Sequence, residues 1–398
     1  MRAIGLVTVG RSDYGIYLPV IRAIQSHSDL KLVVYVSGAH LVPEYGMTVN
    51  TIESDGVPIA ERVEMLLARD TAVAAAEAMG RGTAAFAASF ARTRPDILLV
   101  LGDRFEMHSA AVAAVPLNIP LAHIGGGEIT EGAIDDVLRH SITKLSHLHF
   151  VSTAEYARRV QQLGEEPWRI VVSGTPAIDN LKSMRLLSRE ELETQFRINL
   201  NQPFLLVTYH SVTREGNDLG RQLTELLAAL DATGQILVFT MPNADPGNLA
   251  IRNAIEQFVT QRSRAIAIEN LGTQAYFSLM NLAAAMVGNS SSGIIEAPSF
   301  RLPVVNIGTR QQGRMRARNV MDVGNDRREI LGAIKRATAA EFRKSLEGLT
   351  NPFGDGRASE IIVERLASVM LDERLLKKKF HDLGASAVVA SQAVSQKN

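Results

Sequence analysis

Short runs of β-branched and leucine side chains punctuate this chain, separated by longer stretches whose apolar positions recur with helical spacing. In the first half the runs are 4–9 (IGLVTV), 31–36 (KLVVYV), 97–101 (ILLVL), 119–124 (IPLAHI), 148–151 (LHFV) and 170–173 (IVVS). In the second half they are 204–209 (FLLVTY), 236–240 (ILVFT), 265–268 (AIAI), 284–287 (AAMV) and 303–307 (PVVNI). A run that is apolar at every position, not every second one, is a strand covered on both faces. Such strands alternating with helices predict a doubly wound α/β fold with parallel sheets. Residues 180–202 are polar and helical in period, and they separate the two series. A chain of 398 residues also exceeds what one core usually organises. The expected layout is two Rossmann-like domains at 1–180 and 200–357, a helix at 358–378 packing back on the first, and a flexible tail at 379–398.

Composition narrows the partners. Lys plus Arg and Asp plus Glu both number 42, so no global field attracts nucleic acid or an anionic membrane, and neither is expected as a partner. With no cysteine there is no disulfide framework and no thiolate metal site, which fits a cytoplasmic, reducing setting. The opening MRAIGLVTVG reads as a buried strand and not as a secretory signal. The alanine-rich stretch at 71–92 contains Glu77, Arg81 and Arg92 and cannot span a bilayer. Its small side chains suit close packing against a second copy, so a homodimer or homotetramer is expected, although the same helix could be the outer layer of one domain.

Ligands of open α/β sheets sit outside the carboxyl ends of the strands, so the residues just after each run matter most. Two glycine- and serine-rich elbows stand there, GRSDYG at 10–15 and GNSSSG at 288–293. An elbow that opens a helix aims unpaired N–H groups and a positive dipole end at an anion. Two of them suggest one phosphate-bearing ligand between two domains, while the plainer reading is a pair of helix starts in which Ser12, Asp13 or Ser290 caps the backbone. Between the elbows, Asp103 and Arg104 follow ILLVL, His123 lies one residue before the end of IPLAHI, and Glu128 follows three glycines. Asp135 and Asp136 open a helix containing Arg139 and His140, with the i,i+4 spacings Asp135–Arg139 and Asp136–His140. In the second half His210, Asn243, the serines 290–292, Glu296 and Arg310 lie at successive strand ends. Donors among them suit phosphates, and a carboxylate can accept both ribose hydroxyls. His147 and His149 share a strand face, but no metal-ligand motif accompanies them, so no metal and no cofactor is expected.

The ordered strings GDRFE, HIGGGE with the following IDD, RHSITKLSH, GNSSSGIIEA and NIGTRQQGR resemble the hydrolysing UDP-N-acetylglucosamine 2-epimerases of sialic-acid-type sugar biosynthesis. The resemblance runs from GRSDYG to about residue 320. It implies a GT-B type pair of Rossmann-like domains with the active site in the cleft between them. It implies that Arg11, Asp13, His210, Asn243, Ser290, Ser291, Ser292, Glu296 and Arg310 hold the UDP part of a UDP-sugar. Asp103, Glu128 and Asp135 would be the catalytic carboxylates, supported by Arg104, His123 and His140. Gly125 departs from the pattern, since relatives commonly carry Glu or His there, and Glu128 or Glu131 would have to compensate. Gly15 departs too, where some relatives place serine, and TEGAIDD looks closer to bacterial members acting on 2,4-diacetamido-trideoxy sugars. The implied reaction eliminates UDP, then hydrates the 1,2-unsaturated sugar to a free manno-configured product. Alternatives are a non-hydrolysing epimerase, a GT-B glycosyltransferase and an inactive sugar-nucleotide sensor.

Overall fold

The computed structural model describes residues 1–66, 71–130, 134–210, 218–241, 248–269 and 271–383. The chain forms two compact units, Met1–Asn180 with Phe353–Asn398, and Leu181–Pro352. Each is built on one parallel sheet flanked by helices, the doubly wound α/β arrangement.

The first sheet comprises β1 (Arg2–Thr8), β2 (Leu30–Ser37), β3 (Ile59–Val63), β4 (Ile97–Leu101), β5 (Leu121–Ile124), β6 (Leu148–Val151) and β7 (Ile170–Val172), in the order β3-β2-β1-β4-β5-β6-β7. The second comprises β8 (Phe204–Thr208), β9 (Ile236–Thr240), β10 (Ala265–Ile268), β11 (Ala285–Gly288), β12 (Val304–Ile307) and β13 (Val320–Val323), ordered β10-β9-β8-β11-β12-β13. Both orders reverse beside their first strand, at β1/β4 and at β8/β11, which are the topological switch points of a Rossmann-like sheet.

The central strands are the continuous apolar runs of the sequence, and β4 coincides with ILLVL residue for residue. Two strands escaped that pattern. IAERV (β3) and VMDV (β13) carry charged residues because each lies at a sheet edge, with one neighbour and one solvated face. Among the described residues no helix is long and apolar enough to cross a membrane.

The polar segment after residue 180 belongs to the second unit, where Leu192, Ile198 and Leu200 are buried. Its helix Arg189–Phe196 starts with a full capping box, in which Ser188 accepts from Glu191 N–H and the Glu191 carboxylate accepts from Ser188 N–H. The helix Ala358–Ser368 buries Ile362, Val363 and Leu366 in the first core. Asp179 accepts both of its first N–H groups, from Ala358 at 3.0 Å and Ser359 at 2.6 Å. Beyond it, the almost wholly buried Arg169 donates to the carbonyls of His147, Arg374 and Leu375 and stacks on Trp168. Glu165, also buried, takes Lys144 at 2.6 Å, Lys378 at 2.9 Å and His149 at 3.0 Å. Within this final stretch Phe380 covers Gly164, and His381 N–H donates to the Gly164 carbonyl.

One glycine sets how closely two central strands meet. Gly288, at φ +139°, ends β11 so near β8 that a Cβ there would sit 1.9 Å from the Thr208 carbonyl oxygen. Gly288→Ala is expected to lower stability by about 3 kcal/mol or more, because backbone and not a side chain must yield. Exposed Gly15 inside the Arg11–Ser26 helix has nothing within 4 Å of its missing Cβ. Gly15→Ala is therefore expected to stabilise by about 0.5–1 kcal/mol. Thermal unfolding of both variants beside the parent checks the pair.

Candidate active site

At the first switch point the ladder of the sheet continues past the strands. Gly102 N–H donates to Ile124 O and Gly125 N–H to Phe150 O, which fixes the turns that present Asp103 and the three-glycine loop. His123 is wholly buried on β5, with Nε2 2.8 Å from the Gly102 carbonyl and Nδ1 3.2 Å from Thr143 Oγ1. Burial holds its pKa down at about 3, so it is a neutral ring that braces the Gly102 turn. Gly125 has φ +86°, and among the described residues only Gly102 backbone atoms, at 3.8 Å, lie near its missing Cβ. There is room for a side chain at that position, but the backbone is left-handed and suits glycine. Glu128, three residues on, is partly buried, and Glu131 lies outside the described residues.

The helix Ile134–Leu145 supplies the rest. Arg139, 4% exposed, forms an ion pair with the Asp103 carboxylate and donates to Thr130 Oγ1 at 3.1 Å. The i,i+4 spacing had coupled Arg139 with Asp135; its guanidinium instead reaches across from the helix to the end of β4. Asp136 accepts from Thr130 N–H at 2.7 Å and lies 3.6 Å from His140 Nε2, the spacing read from the sequence. Burial lowers the His140 pKa, against the pull of Asp136.

Arg104 draws a second group together. It donates to Glu106 at 2.9 and 3.2 Å, and Glu106 is wholly buried. Burial works against the guanidinium charge, and the carboxylates of Glu106, Asp13 and Asp135 more than offset it, raising its pKa. Asp13 sits in the first turn of the Arg11–Ser26 helix but points back to β1, taking Val9 N–H at 2.9 Å and Thr8 Oγ1 at 2.6 Å. Burial pushes its pKa up to about 6. The N-cap is Gly10, which has no side chain to meet the first N–H groups of the helix, and Arg11 is exposed beside it.

The second switch point is built on Asn289. Its buried amide accepts from His210 N–H and donates to the His210 carbonyl, both at 2.8 Å, joining the ends of β8 and β11. The Asn289 carbonyl in turn accepts from Arg310 at 3.0 Å and Gln311 at 2.9 Å, which brings the arginine to the elbow. Ser290 and Ser292 hydroxyls are 2.9 Å apart, and Tyr276 OH is 2.5 Å from Ser292. The elbow does open a helix, but a short one. The helix Ser292–Ile295 has four residues and gives way at Pro298 to the 3-10 turn Ala297–Phe300. The elbow therefore presents local N–H and hydroxyl donors and not the macrodipole of a long helix. Glu296 follows, its Oε2 buried with no hydrogen-bond partner among the described residues. Burial pushes its pKa up to about 7. Asn243 lies outside the described residues.

The first unit thus gathers Asp13, Asp103, Arg104, His123, Asp135 and His140 at its strand ends, and the second gathers His210, Ser290, Ser292, Glu296 and Arg310, with Ser291 as the residue before the short helix. Sequence reasoning passed over Glu106, Arg139, Asn289 and Gln311 as site-builders. Asn289 stood inside GNSSSG, but a side chain that holds backbone has no spacing signal. Among the described residues no group of three or more His, Asp or Glu could hold a metal ion.

Residues 22–367 match the profile of the family described as UDP-N-acetylglucosamine 2-epimerase. A GDP/UDP-N,N'-diacetylbacillosamine 2-epimerase (hydrolysing) of Campylobacter jejuni is 38% identical, covering 96% of this chain and 99% of its own. A UDP-N,N'-diacetylbacillosamine 2-epimerase (hydrolysing) of Legionella pneumophila is 35% identical over 95% and 99% of the two chains. Among solved structures, the UDP-GlcNAc 2-epimerase of Neisseria meningitidis bound to UDP-GlcNAc superposes with a TM-score of 0.77 at 21% identity, covering 92% and 99%, and shows the same fold. By the match of its sequence over nearly its whole length, the chain belongs to the UDP-N-acetylglucosamine 2-epimerase family.

Proposed function

We propose that the chain is a hydrolysing 2-epimerase, which converts a UDP-linked 2-acetamido sugar of gluco type into UDP and the free manno-configured sugar. The substrate is a 2,4-diacetamido-2,4,6-trideoxy sugar nucleotide, a reading supported by the names of the Campylobacter and Legionella relatives. The observation that carries the chemistry is the carboxylate–guanidinium grouping at the first switch point, Asp103 with buried Arg139 and Asp135 beside Arg104. The C2 hydrogen of such a sugar is weakly acidic, so departure of UDP leads. The C1–O bond breaks with its electron pair going to UDP, and the positive charge growing on the ring is stabilised by carboxylates. Asp103, ion-paired to Arg139, is built for that stabilising work. One of Asp103, Glu128 and Asp135 takes the C2 proton. Protonation of the resulting C1=C2 bond from the opposite face inverts C2, and water adds its oxygen to C1.

In the second unit, Arg310, His210 and the Ser290–Ser292 elbow stabilise the leaving diphosphate, and Glu296 accepts the ribose hydroxyls. Ser291, Arg11 and Asn243 complete the nucleotide contacts, and His123 and His140 position the groups around the reacting carbon. The deciding experiment is incubation with UDP-N-acetylglucosamine and with the UDP-2,4-diacetamido sugar in deuterated water. Free UDP and a manno product with deuterium at C2 support the reading, and return of a UDP-linked epimer overturns the hydrolysing class. Asp103→Asn is expected to cut turnover by about 10²-fold or more while UDP still binds in calorimetry.

Glu296 gives a pH prediction. Its pKa near 7 leaves a neutral acid below that pH, and a ribose diol is accepted by the anion. Uridine, which has no phosphate to titrate, is expected to bind more tightly as pH rises through about 7. Glu296→Gln should weaken binding and flatten the pH dependence.

We also infer that the chain is a homodimer or homotetramer, assembled through the outer face of helix Ala72–Arg92. There an apolar hollow of about 450 Å³ is lined by Gly80, Thr83, Ala84, Ala87, Val112 and Pro116. Ala84→Glu, at an exposed position, is expected to leave the monomer folded and to lower the mass measured by light scattering.

A further inference from the structure

The end of β1 is connected to the protein surface by a line of polar side chains. Asp13 Oδ2 is 2.6 Å from Thr8 Oγ1, Thr8 Oγ1 is 2.9 Å from His40 Nε2, and His40 Nδ1 is 2.7 Å from Thr48 Oγ1. Thr8 and His40 are wholly buried and Asp13 is 4% exposed, whereas Thr48 is half-buried and follows the exposed residues 43–46. At the inner end, Asp13 Oδ1 is buried with no partner among the described residues. Arg104 faces the same carboxylate. Tying the elbow to the sheet requires only the bonds from Thr8 and Val9. It does not require a histidine between two hydroxyls, or a second carboxylate oxygen left bare.

We propose that Asp13, Thr8, His40 and Thr48 form a proton wire, through which the proton left over by each turnover leaves the site. The proposal rests on the hydrolysing reading. In that reaction C2 loses one proton and regains one, water gives its oxygen and one hydrogen to C1, and the departing UDP keeps the electron pair of C1–O. Water's second hydrogen is therefore released as a proton. With neutral Asp13 bearing hydrogen on Oδ2, a proton arriving at Oδ1 sends that hydrogen to Thr8. Thr8 passes its own hydrogen to His40 Nε2, His40 passes the one on Nδ1 to Thr48, and Thr48 gives its hydroxyl hydrogen to water. Only O–H and N–H bonds change, and rotation of the hydroxyls and carboxyl, with the reverse tautomer shift of the ring, resets the line.

The surroundings suit this exchange. Burial brings Asp13 to about 6, within reach of neutrality, and holds His40 at about 4, so its ring is the neutral form that accepts on one nitrogen while giving from the other. The Gly10 backbone faces both Asp13 and His40. Tyr17, Arg104 and, beyond Arg104, Glu106 and Asp135 face Asp13. The edge of Tyr14 faces His40, and Tyr14 OH donates to Asp55 at 2.8 Å.

Steady-state kinetics of His40→Gln and Thr48→Ala test the wire. Thr48 makes no side-chain cap to the helix Val49–Ser54, so its alanine variant folds even where the buried glutamine does not. Both variants are expected to lower kcat, His40→Gln by about tenfold or more, with KM and UDP affinity within about twofold of the parent. The pH profile of kcat should change shape, and added imidazole buffer should restore part of the rate. Parent-like kcat and pH profile in Thr48→Ala, or a change in KM alone, would overturn the wire. A parent chain that releases no UDP from either 2-acetamido sugar nucleotide overturns the functional reading and the wire together.

Discussion

Where a doubly wound sheet reverses direction, the segments leaving its two central strands pass to opposite faces, and a gap opens outside their ends. This chain makes that reversal twice, and in the second unit a single side chain brings the two strand ends together. It is the Asn289 amide, which takes both backbone groups of His210. Its geometry is available only because Gly288 lets β11 run against the Thr208 carbonyl. Arg310 and Gln311 then attach to the carbonyl of the same asparagine. In the first unit His123 works one strand further along, bracing from β5 the Gly102 turn that follows β4.

On that scaffold the charges are arranged in opposed pairs inside or at the edge of the protein. Arg139 is taken out of water where Asp103 meets it, and Glu106 is buried where the half-exposed Arg104 meets it. Asp13 and Glu296 differ, since each keeps a buried oxygen without a hydrogen-bond partner among the described residues. Holding a carboxylate that way costs stability, and its pKa rises because the neutral form is cheaper to bury.

Much of this was legible in the order of residues. Eleven apolar runs marked the nine interior strands and the two apolar edges β7 and β10, because a strand covered on both faces has no polar positions. The edges β3 and β13 were invisible for the converse reason, as IAERV and VMDV resemble surface. Asp103 and Asp135 were found because they follow a strand or open a helix. Arg139 was assigned to its own helix by the i,i+4 rule, whereas its partner lies 36 positions away at the end of another element. The length of the second elbow's helix was also beyond the pattern, since GNSSSGII is apolar and small in any case, and only Pro298 signalled the break.

The return of the chain to its first unit has a consequence for synthesis. The second unit, Leu181–Pro352, is one continuous segment set into the first. On the ribosome it has all of its sequence before the Ala358–Ser368 helix is made, while the first unit, begun earlier, still lacks the apolar cover of Ile362, Val363 and Leu366. Asp179 waits over the same interval for the two N–H groups it will receive. The first unit is thus begun before the second and completed after it, and the carboxylates of its sheet end are set in a core that closes only once the Ala358–Ser368 helix has been made.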